Sequence, residues 1–454
     1  MVRSNQTFLE NELSDVVRLF GSDVDVTHEM TYEDGIFYNA FEIDGEGASF
    51  EDACACEGEL AFKRYAKRYA KLALYRLLAQ KFGKTMPWGA LTGIRPTKLA
   101  YAELAEGRRF EPLFEKMGVT EDNIALTAAV IEGQKGIYGV NNGGSDLFVG
   151  IPFCPTKCEY CSFITADIRY TEKYLDDYID ALAREAEDAS AYLRDVKSVY
   201  VGGGTPLVLE PKRLERVLRA IDALHLSGEY TVEAGRPDVF TREKLDLLRD
   251  HGVTRICINS QTFSDETLRR IGRRHTAQDV YRAFEMAANY DFSVNLDLIA
   301  GLTGETVSDF ASSVRQAIAC APDNVTVHTL CLKKGAKLKE EASFLSGEQV
   351  AEMVALSKRM LTEAGYSPYY LYRQKYMAGN FENVGWTKPG KACVYNVDVM
   401  EEITDNVAIG ANAISKKLCG GGRIERYASP KDIPTYLHKI EEILAKKRQL
   451  FCKN

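Results

Sequence analysis

Three cysteines in one short loop, Cys154, Cys158 and Cys161, constrain this chain more than any other feature. They form a C-x3-C-x2-C array in the stretch LFVGIPFCPTKCEYCSFI, directly after an apolar run that is typical of a buried β-strand. A [4Fe–4S] cluster usually takes four cysteine ligands, so three thiolates leave one iron open to a substrate or cofactor. A zinc site is one alternative, although Glu159 is poorly placed as its fourth ligand. Three unrelated thiols are the other.

Composition limits the classes of protein to consider. The chain has 454 residues, of which 45% are hydrophobic, so it can bury a large core in two or three domains. Its net charge of −8 gives no electrostatic reason to expect a nucleic-acid or acidic-membrane partner. The eleven cysteines are scattered, and neither a signal peptide nor an apolar run near the length of a membrane span is present. We therefore expect a cytoplasmic protein without a membrane span, working at low oxygen.

Residues 1–140 are predicted to form a separate α+β module. From Val24 to Ile43, apolar and polar residues alternate around Asp34-Gly35, which indicates a β-hairpin. The stretch Leu60–Phe82 has the periodicity of an amphipathic helix rich in lysine and arginine. We interpret its basic side as a solvated face, with a docking surface as the alternative. The glycine-rich segment that begins at Asn141 predicts the joint to the next domain.

Residues 141–335 alternate strand and helix patterns. Six such units in succession predict a parallel sheet with right-handed crossovers. The pattern alone does not separate a doubly wound sheet from a barrel or partial barrel. The predicted strands are 147–151, 197–201, 229–233, 254–258, 292–298 and 324–330. In either architecture, functional residues gather at the carboxyl ends of the strands.

Unusual residues follow these predicted strands. Gly202-Gly203-Gly204-Thr205-Pro206 follows the second strand, where glycines would let a cofactor approach the backbone. Glu233 ends the third strand and Gln261 follows the fourth. Asp297 lies in the apolar run VNLDLI, where a buried carboxylate needs a partner, so a ligand is its best explanation. Arg273 is a candidate for holding a carboxylate, with plain surface charge as the alternative.

In the same order along residues 147 to about 335, these motifs resemble the oxygen-independent coproporphyrinogen III oxidase branch of the radical S-adenosylmethionine (SAM) superfamily. The quoted motifs are the cysteine loop, GGGTP, Glu233, INSQTF, RRH and NLDLIAGLTGET. The long N-terminal module and LTGIRPTK are most similar to the variant called coproporphyrinogen dehydrogenase of the HemZ type. The resemblance implies an α/β fold: a (β/α)6 partial barrel, the N-terminal α+β module, and a family-specific C-terminal α+β domain at 336–454.

The resemblance also implies the cofactors. Cys154, Cys158 and Cys161 would bind a [4Fe–4S] cluster, and SAM, one or two molecules, would chelate the open iron through its amino and carboxylate groups. Asp297 would accept hydrogen bonds from the ribose, and Tyr160 would lie beside the adenine. The positions implied to contact SAM are Tyr160, Gly203, Gly204, Thr205, Glu233, Gln261, Arg273 and Asp297.

The reaction implied by the family is oxidative decarboxylation of a tetrapyrrole in haem biosynthesis. A reductant such as flavodoxin or ferredoxin supplies an electron, SAM yields a 5′-deoxyadenosyl radical, and that radical takes a hydrogen atom from a propionate side chain of coproporphyrinogen III. Carbon dioxide leaves, and two rounds give protoporphyrinogen IX. No side-chain acid or base is required, so we assign no catalytic residue. Arg95, Arg373 and Lys375 are candidates for binding the propionates.

Two departures from the oxidase pattern bear on function. Phe163 stands where members of the oxidase group commonly have a further cysteine, which weakens the transfer of their activity. The alternative function is a haem-binding chaperone or another tetrapyrrole-acting protein on the same scaffold. The chaperone pattern has a histidine where this chain reads Val394-Tyr395-Asn396, although Cys393 or Tyr395 could replace it as an axial ligand.

The segment from Tyr366 to Trp386 is rich in aromatic residues. Core packing is the default explanation for such rings. The alternative is a wall for a flat tetrapyrrole, which the interleaved Arg373 and Lys375 would favour.

Overall fold

A computed structural model describes residues 1–21, 24–93, 95–139, 144–161, 166–331, 347–374, 380–420 and 422–452. The described chain divides into two units. The first is Met1–Ala128 with two short stretches near residues 373 and 380, and the second begins at Ala129 and holds nearly all of the rest. The first unit thus ends inside a helix, before the predicted joint at 141–145. Residues 141–143 lie outside the described residues.

The first unit is built on a four-stranded sheet. Its strands, in their order across the sheet, are β1 (Val2–Ser4), β2 (Val26–Glu33), β3 (Ile36–Ile43) and β4 (Glu46–Ala53). Buried and exposed residues alternate along β2, as expected for a sheet with one covered face. Asp34 and Gly35 have positive φ, 50° and 79°, which suits the tight turn between β2 and β3. The predicted hairpin is therefore confirmed.

Helices complete the first unit, and the last of them runs into the second. They are α1 (Thr7–Leu19), α2 (Gly58–Phe82), α3 (Pro96–Ala105), α4 (Glu111–Lys116) and α5 (Glu121–Gly133). Helix α2 is the amphipathic helix predicted from the sequence, and its Tyr69, Leu72 and Leu78 are buried. Two of its basic residues, Lys67 and Lys71, pair with Glu12 of α1 at 2.9 and 3.2 Å. Part of its basic side therefore joins two helices of this unit.

The second unit contains the six predicted parallel strands. They are β5 (Ser145–Ile151), β8 (Val196–Gly203), β9 (Glu229–Gly235), β10 (Arg255–Gln261), β11 (Ser293–Ala300) and β12 (Asn324–Thr329). A two-residue ladder, β6 (Phe153–Cys154) with β7 (Ala166–Asp167), lies between β5 and β8 in the chain. Each parallel strand is bonded to the next one in sequence. A doubly wound sheet reverses its strand order and a barrel does not, so the predicted partial barrel is confirmed.

Amphipathic helices connect these strands. They are α6 (Ile168–Thr171), α7 (Leu175–Ala189), α8 (Pro211–Asp222), α9 (Arg242–Asp250), α10 (Asp265–Arg270), α11 (Ala277–Ala287) and α12 (Val307–Ala319). Thr276 and Thr306 form capping boxes at the starts of α11 and α12. These caps fix where each of the two helices begins.

The C-terminal segment extends the same sheet at both ends. Its elements are α13 (Gly347–Glu363), β13 (Ser367–Tyr372), β14 (Asn383–Thr387), α14 (Val394–Glu401), β15 (Asp405–Ile409), β16 (Ile414–Cys419), β17 (Arg423–Ala428), α15 (Ile433–His438) and α16 (Ile440–Phe451). Strand β14 pairs antiparallel with β12, and β15 pairs parallel with β5. The predicted C-terminal domain thus shares its sheet with the barrel. Over the described ranges, no helix is long and apolar enough to cross a membrane.

Candidate functional site

Each parallel strand of the barrel presents one partly exposed side chain between two buried neighbours. Successive residues of a strand face opposite sides, and the outer side is covered by helices, so these side chains face the barrel lumen. Tyr372, which ends β13, is also partly exposed between buried neighbours. We call these seven residues the lumen ring: Phe148, Tyr200, Glu233, Asn259, Asp297, His328 and Tyr372.

The loop that carries the three cysteines is attached to neighbouring strand-end loops. The Thr205 N–H donates to the Phe153 carbonyl at 2.8 Å, and the Thr205 hydroxyl donates to the Cys154 sulfur at 3.6 Å. On another side, the Glu159 N–H donates to the Ile271 carbonyl at 3.0 Å. The predicted residue Thr205 therefore positions the cysteine loop.

The cysteine ligand set itself remains a prediction. Among the described residues, no group of three or more histidine, cysteine or acidic side chains is arranged to hold a metal ion. Residues 162–165, which include Phe163, lie outside the described residues.

Arg236, which the sequence analysis did not single out, also holds the cysteine loop. Its guanidinium lies on the Asp238 carboxylate with bonds of 2.9 and 2.6 Å, and it donates to the Thr156 hydroxyl at 2.6 Å. Arg236 is only 2% exposed, so these charge-assisted bonds are strong. The signal in the sequence was an arginine in the segment AGRPD, directly after the strand that carries Glu233.

The glycine run has two separate roles. A Cβ at Gly204 would lie 2.5 Å from the Phe153 carbonyl oxygen, and a Cβ at Gly202 would lie 2.8 Å from a Glu233 carboxylate oxygen. These two glycines therefore allow the chain to pack against itself. Gly203 has φ +102° and no such close contact, the nearest atom being the Ile151 nitrogen at 3.6 Å. Of the three, Gly203 best fits the predicted role of leaving backbone open to a cofactor.

Glu233 is held in the lumen by two hydrogen bonds. The Tyr200 hydroxyl donates to one carboxylate oxygen at 2.7 Å, and the Gly203 N–H donates to the other at 3.2 Å. The pKa of Glu233 is raised to about 7, mainly by burial and also by the negative charge of Asp297, although the hydrogen bond from Tyr200 opposes the rise. Near neutral pH the side chain can therefore exist with or without its proton.

The carboxyl end of β10 is strained. Gln261 is 6% exposed and has φ +71°, a backbone conformation that costs a residue other than glycine roughly 1–3 kcal/mol. The pairing of β10 with β11 shifts register between Ile258 and Gln261. Nearby, the buried Oδ1 of Asn259 has no hydrogen-bond partner among the described residues. Strain and an unpaired acceptor at a strand end are typical of a ligand site.

Arg273 and Tyr160 form a bonded pair beside the cysteine loop. Arg273 is buried, donates to the Tyr160 hydroxyl at 3.0 Å and donates a second bond to the Asn259 carbonyl. Tyr160 packs on an apolar cluster that includes Ile271 and Leu302. In the structure Arg273 thus orients the residue predicted to lie beside adenine. Its predicted contact with a SAM carboxylate stays a prediction.

Asp297 lies in the lumen, as its apolar sequence context suggested. Its Oδ1 is 3.9 Å from Nε2 of His328, and the two side chains are 21% and 28% exposed. Nδ1 of His328 forms a hydrogen bond of 3.2 Å with the Tyr372 hydroxyl. His328 was not singled out from the sequence, whereas Tyr372 was included only as one ring of the aromatic segment. His328 could have been found as Asp297 was, as a polar residue within an apolar strand, VTVHT.

Aromatic side chains form another part of the lumen wall. The rings of Tyr200 and Tyr395 stack at 4.4 Å, and Phe148 lies parallel to both at 6.3 Å. From the aromatic segment, Tyr366 and Tyr369 are buried in the core. Tyr372 alone of its tyrosines in the described range belongs to the lumen ring. Core packing is therefore confirmed for Tyr366 and Tyr369, and the tetrapyrrole wall stays a prediction, with Tyr372 as its candidate.

The three candidate propionate-binding residues have different surroundings. Arg373 is buried, and its guanidinium donates to the carbonyl oxygens of Leu91, Gly93 and Asn380. Assigning Arg373 to a substrate carboxylate was therefore wrong, because backbone acceptors of the first unit occupy it. Arg95 directly precedes α3. Lys375 lies outside the described residues.

Comparison with known proteins gives consistent matches. The family model described as the radical SAM superfamily matches residues 148–317. The oxygen-independent coproporphyrinogen-III oxidase-like protein HemZ of Bacillus subtilis is 35% identical over 402 residues, which cover 84% of this chain and 80% of that protein. The heme chaperone HemW of Escherichia coli is 30% identical over 287 residues, covering 62% of this chain and 72% of that protein.

A solved structure is similar in fold. The coproporphyrinogen III oxidase HemN of Escherichia coli, a radical SAM enzyme, superimposes with a TM-score of 0.56 and 22% identity. The match covers 72% of this chain and 74% of that one. It supports the same arrangement of strands and helices around the lumen.

Proposed function

Because the chain belongs to the radical SAM superfamily, in the family of oxygen-independent coproporphyrinogen-III oxidase-like proteins, we propose that it decarboxylates coproporphyrinogen III. Two propionate side chains would become vinyl groups, giving protoporphyrinogen IX. In each round, the propionate carbon next to the ring loses one hydrogen atom to the radical. The bond between the second propionate carbon and the carboxyl carbon then breaks, and carbon dioxide and one electron leave. The reaction therefore needs an electron acceptor as well as a reductant of the flavodoxin or ferredoxin type.

The residues present fit the cofactors that the superfamily implies, a [4Fe–4S] cluster and SAM. Three thiols lie on one loop, and that loop is anchored by Thr205 and Arg236. The unpaired Oδ1 of Asn259 and the open backbone at Gly203 lie towards the carboxyl ends of β10 and β8, the two strands that flank β9. When bound and reduced, the cluster and SAM supply the 5′-deoxyadenosyl radical that removes the hydrogen atom.

The side chains of the site bind and orient. Cys154, Cys158 and Cys161 would ligate the cluster, and one or two SAM molecules would lie against the remaining predicted positions. Asp297 would accept hydrogen bonds from ribose hydroxyls, since it is a partly exposed carboxylate and its 3.9 Å separation from Nε2 of His328 is beyond hydrogen-bond distance. Glu233 would accept from the SAM amino group, because its oxygens lie beside the glycine loop. Buried Phe153 would keep water from the cluster.

The lumen ring is the observation that carries this proposal. Its aromatic members offer a flat apolar surface, and its polar members lie on neighbouring strands. A tetrapyrrole with several carboxylates combines a broad apolar ring system with charged ends, so it matches such a lining. The identity with HemZ over most of both chains supports the same substrate class.

The test is anaerobic reconstitution followed by incubation with SAM, dithionite and coproporphyrinogen III. Vinyl product and 5′-deoxyadenosine are both quantified, and uroporphyrinogen III, which carries acetates as well as propionates, is the comparison substrate. Product formed with a matching amount of 5′-deoxyadenosine is the expected result. Release of 5′-deoxyadenosine without decarboxylation would keep the radical chemistry and reject this substrate.

A second candidate function is haem binding or delivery, favoured by the identity with HemW. The structure gives reasons to rank it second. Cys393 is fully buried and donates to Glu229 at 3.1 Å, and Tyr395 is 9% exposed and stacked on Tyr200. Either residue would have to leave these contacts to bind haem iron. Tight haem binding without SAM cleavage in the reconstituted protein would reverse the ranking.

A further inference from the structure

The lumen ring contains one side chain that can carry positive charge. Its members include two carboxyl groups, Glu233 and Asp297, for which contacts with SAM are proposed above. Phe148, Tyr200 and Tyr372 are aromatic and Asn259 is neutral. His328 is therefore the ring's only candidate cation, and the family motifs do not assign it a role.

His328 is engaged at one ring nitrogen and available at the other. Nδ1 is bonded to the Tyr372 hydroxyl at 3.2 Å. Nε2 lies 3.9 Å from Asp297 Oδ1, which is beyond hydrogen-bond distance, and the side chain is 28% exposed. In the tautomer with its proton on Nε2, the imidazole accepts from the Tyr372 hydroxyl at Nδ1 and keeps one N–H for a ligand. His328 can therefore donate to a ligand in the lumen.

A glycine makes this arrangement possible. Tyr370 and Tyr372 stand two residues apart on β13, with nearly parallel rings 6.4 Å apart. To reach β12, their rings must cross β14, where Gly385 pairs with Tyr370. A Cβ at Gly385 would lie 1.8 Å from the Tyr370 ring. Tyr370 bonds Thr326 of β12 at 3.1 Å, as Tyr372 bonds His328, so the tyrosines form a fixed wall.

The proposed reaction requires a donor at this place. When a propionate becomes a vinyl group, the carboxyl carbon is two bonds from the carbon that loses hydrogen. The reacting carboxylate must therefore enter the lumen close to the SAM contacts. A carboxylate removed from water without a hydrogen-bond donor is strongly disfavoured, and Glu233 and Asp297 would repel it further.

We infer that His328, oriented by Tyr372, binds the carboxylate of the reacting propionate and so positions the ring-attached carbon, two bonds away, for hydrogen removal. This inference rests on the proposed function and adds to it the group that recognises the substrate. It also explains why the chain can do without Arg373 in this role. An aromatic wall and one imidazole select an amphipathic acid over a neutral macrocycle.

The experiment compares His328→Gln with wild type in the reconstituted, SAM-loaded protein. His251→Gln is the matched control, because His251 lies at the end of α9 and is bonded to Asp222, outside the lumen ring. Affinities for coproporphyrin III and for its tetramethyl ester are measured by the shift of the porphyrin absorption band. SAM affinity and the ratio of 5′-deoxyadenosine to vinyl product are measured on the same samples.

For His328→Gln we expect roughly tenfold or greater weakening for the tetra-acid and little change for the ester, since one charge-assisted bond is lost. SAM affinity should be unchanged, and more 5′-deoxyadenosine should form per product. Tyr372→Phe should also weaken binding of the tetra-acid more than that of the ester, by a smaller factor. His328→Lys should recover tetra-acid affinity.

Three results would count against the inference. Equal tetra-acid affinity in wild type and His328→Gln overturns it while leaving the proposed function standing. Loss of SAM affinity with porphyrin affinity intact assigns His328 to the support of Asp297 instead. Wild-type protein that releases 5′-deoxyadenosine but forms no vinyl product from coproporphyrinogen III overturns the proposed function, and the inference with it.

Discussion

Two glutamates on one barrel strand have different partners: one is paired with a buried arginine, and the other is left without a basic partner in hydrogen-bond range among the described residues. Glu229 and Glu233 stand four residues apart on β9, so they face the same side, about 13 Å from each other. Glu229, at the amino end, is bonded to Arg255 at 3.0 Å and to the backbone N–H of Val394 at 2.9 Å. Glu233, at the carboxyl end, has no basic partner in hydrogen-bond range among the described residues and has a raised pKa.

The same contrast extends across the barrel. At the amino ends, Arg255 also donates to Asn295 and to the Lys391 carbonyl, and Asp146 accepts from Ser198 at 2.6 Å and from Thr404. Burial raises the pKa of Asp146 to about 6. The chain thus supplies partners for these charged groups at the amino ends. At the carboxyl ends it leaves strained or unpaired groups, which is where a ligand can add stabilisation.

Cysteine substitutions test this contrast with the largest expected effect. Changing Cys154, Cys158 or Cys161 singly to alanine should remove the cluster absorption near about 400 nm and abolish SAM cleavage, because each thiolate is a proposed ligand. Cys393 lies near the amino ends of the barrel strands, so Cys393→Ala should keep both the cluster absorption and SAM cleavage. Absorption and 5′-deoxyadenosine are the measurements. A cluster that also depends on Cys257, Cys331 or Cys393 would mean a fully ligated centre without an open iron.

Replacing Glu229 by glutamine should destabilise the fold. The side chains of Glu229 and Arg255 are 12% and 5% exposed, so the variant leaves a buried charge unpaired, at a cost of about 3–5 kcal/mol. Urea unfolding measures the change in the free energy of unfolding. Glu285→Gln, on the exposed side of α11, is the control and should change it by less than about 0.5 kcal/mol. An unchanged midpoint for Glu229→Gln would show that the amino ends are not stabilised as described.

Asp297→Asn should affect binding instead of folding. The variant keeps the shape of the side chain and removes a charged acceptor, so SAM affinity should fall by roughly 1.5–3 kcal/mol while the cluster stays. Calorimetric titration of SAM into the reconstituted protein measures this. Asp291→Asn, at an exposed position of the loop before β11, is the matched control. If SAM affinity is unchanged, the carboxylate serves something other than the ribose.

Glu233→Gln should have a smaller effect, with the opposite sign to that of Glu229→Gln at high pH. Because the folded-state pKa is raised to about 7, the ionised carboxyl destabilises the folded protein as pH rises through that value. Glutamine does not ionise. Relative to wild type, the variant should therefore gain about 1–2 kcal/mol of stability between pH 5 and pH 8, after allowance for partial exposure. Denaturant unfolding of the SAM-free variant and wild type at both pH values measures this change in the free energy of unfolding. If the difference between the two proteins is the same at both pH values, Glu233 does not titrate in this range.

The contrast between the two ends was only partly visible in the sequence. Asp297 could be found from the sequence because a carboxylate is costly to bury, and the apolar strand around it is visible in a short stretch of sequence. His328 carries the same signal more weakly, since a neutral imidazole is tolerated in a core. Arg373 was misassigned because a basic residue among aromatic ones suits both a ligand wall and a buried cation. Its acceptors at Leu91 and Gly93 lie nearly three hundred positions earlier in the chain.

By itself the sequence determined the cysteine loop, the succession of strand and helix, and the family, because each depends on spacing and periodicity over short stretches. The tertiary structure decided that the strand order does not reverse, that Gly202 and Gly204 serve packing, and that Tyr372 crosses β14 to reach His328. These features depend on which strands become neighbours. Pairing between distant segments is set by the burial of the whole sheet, which no short window of sequence contains.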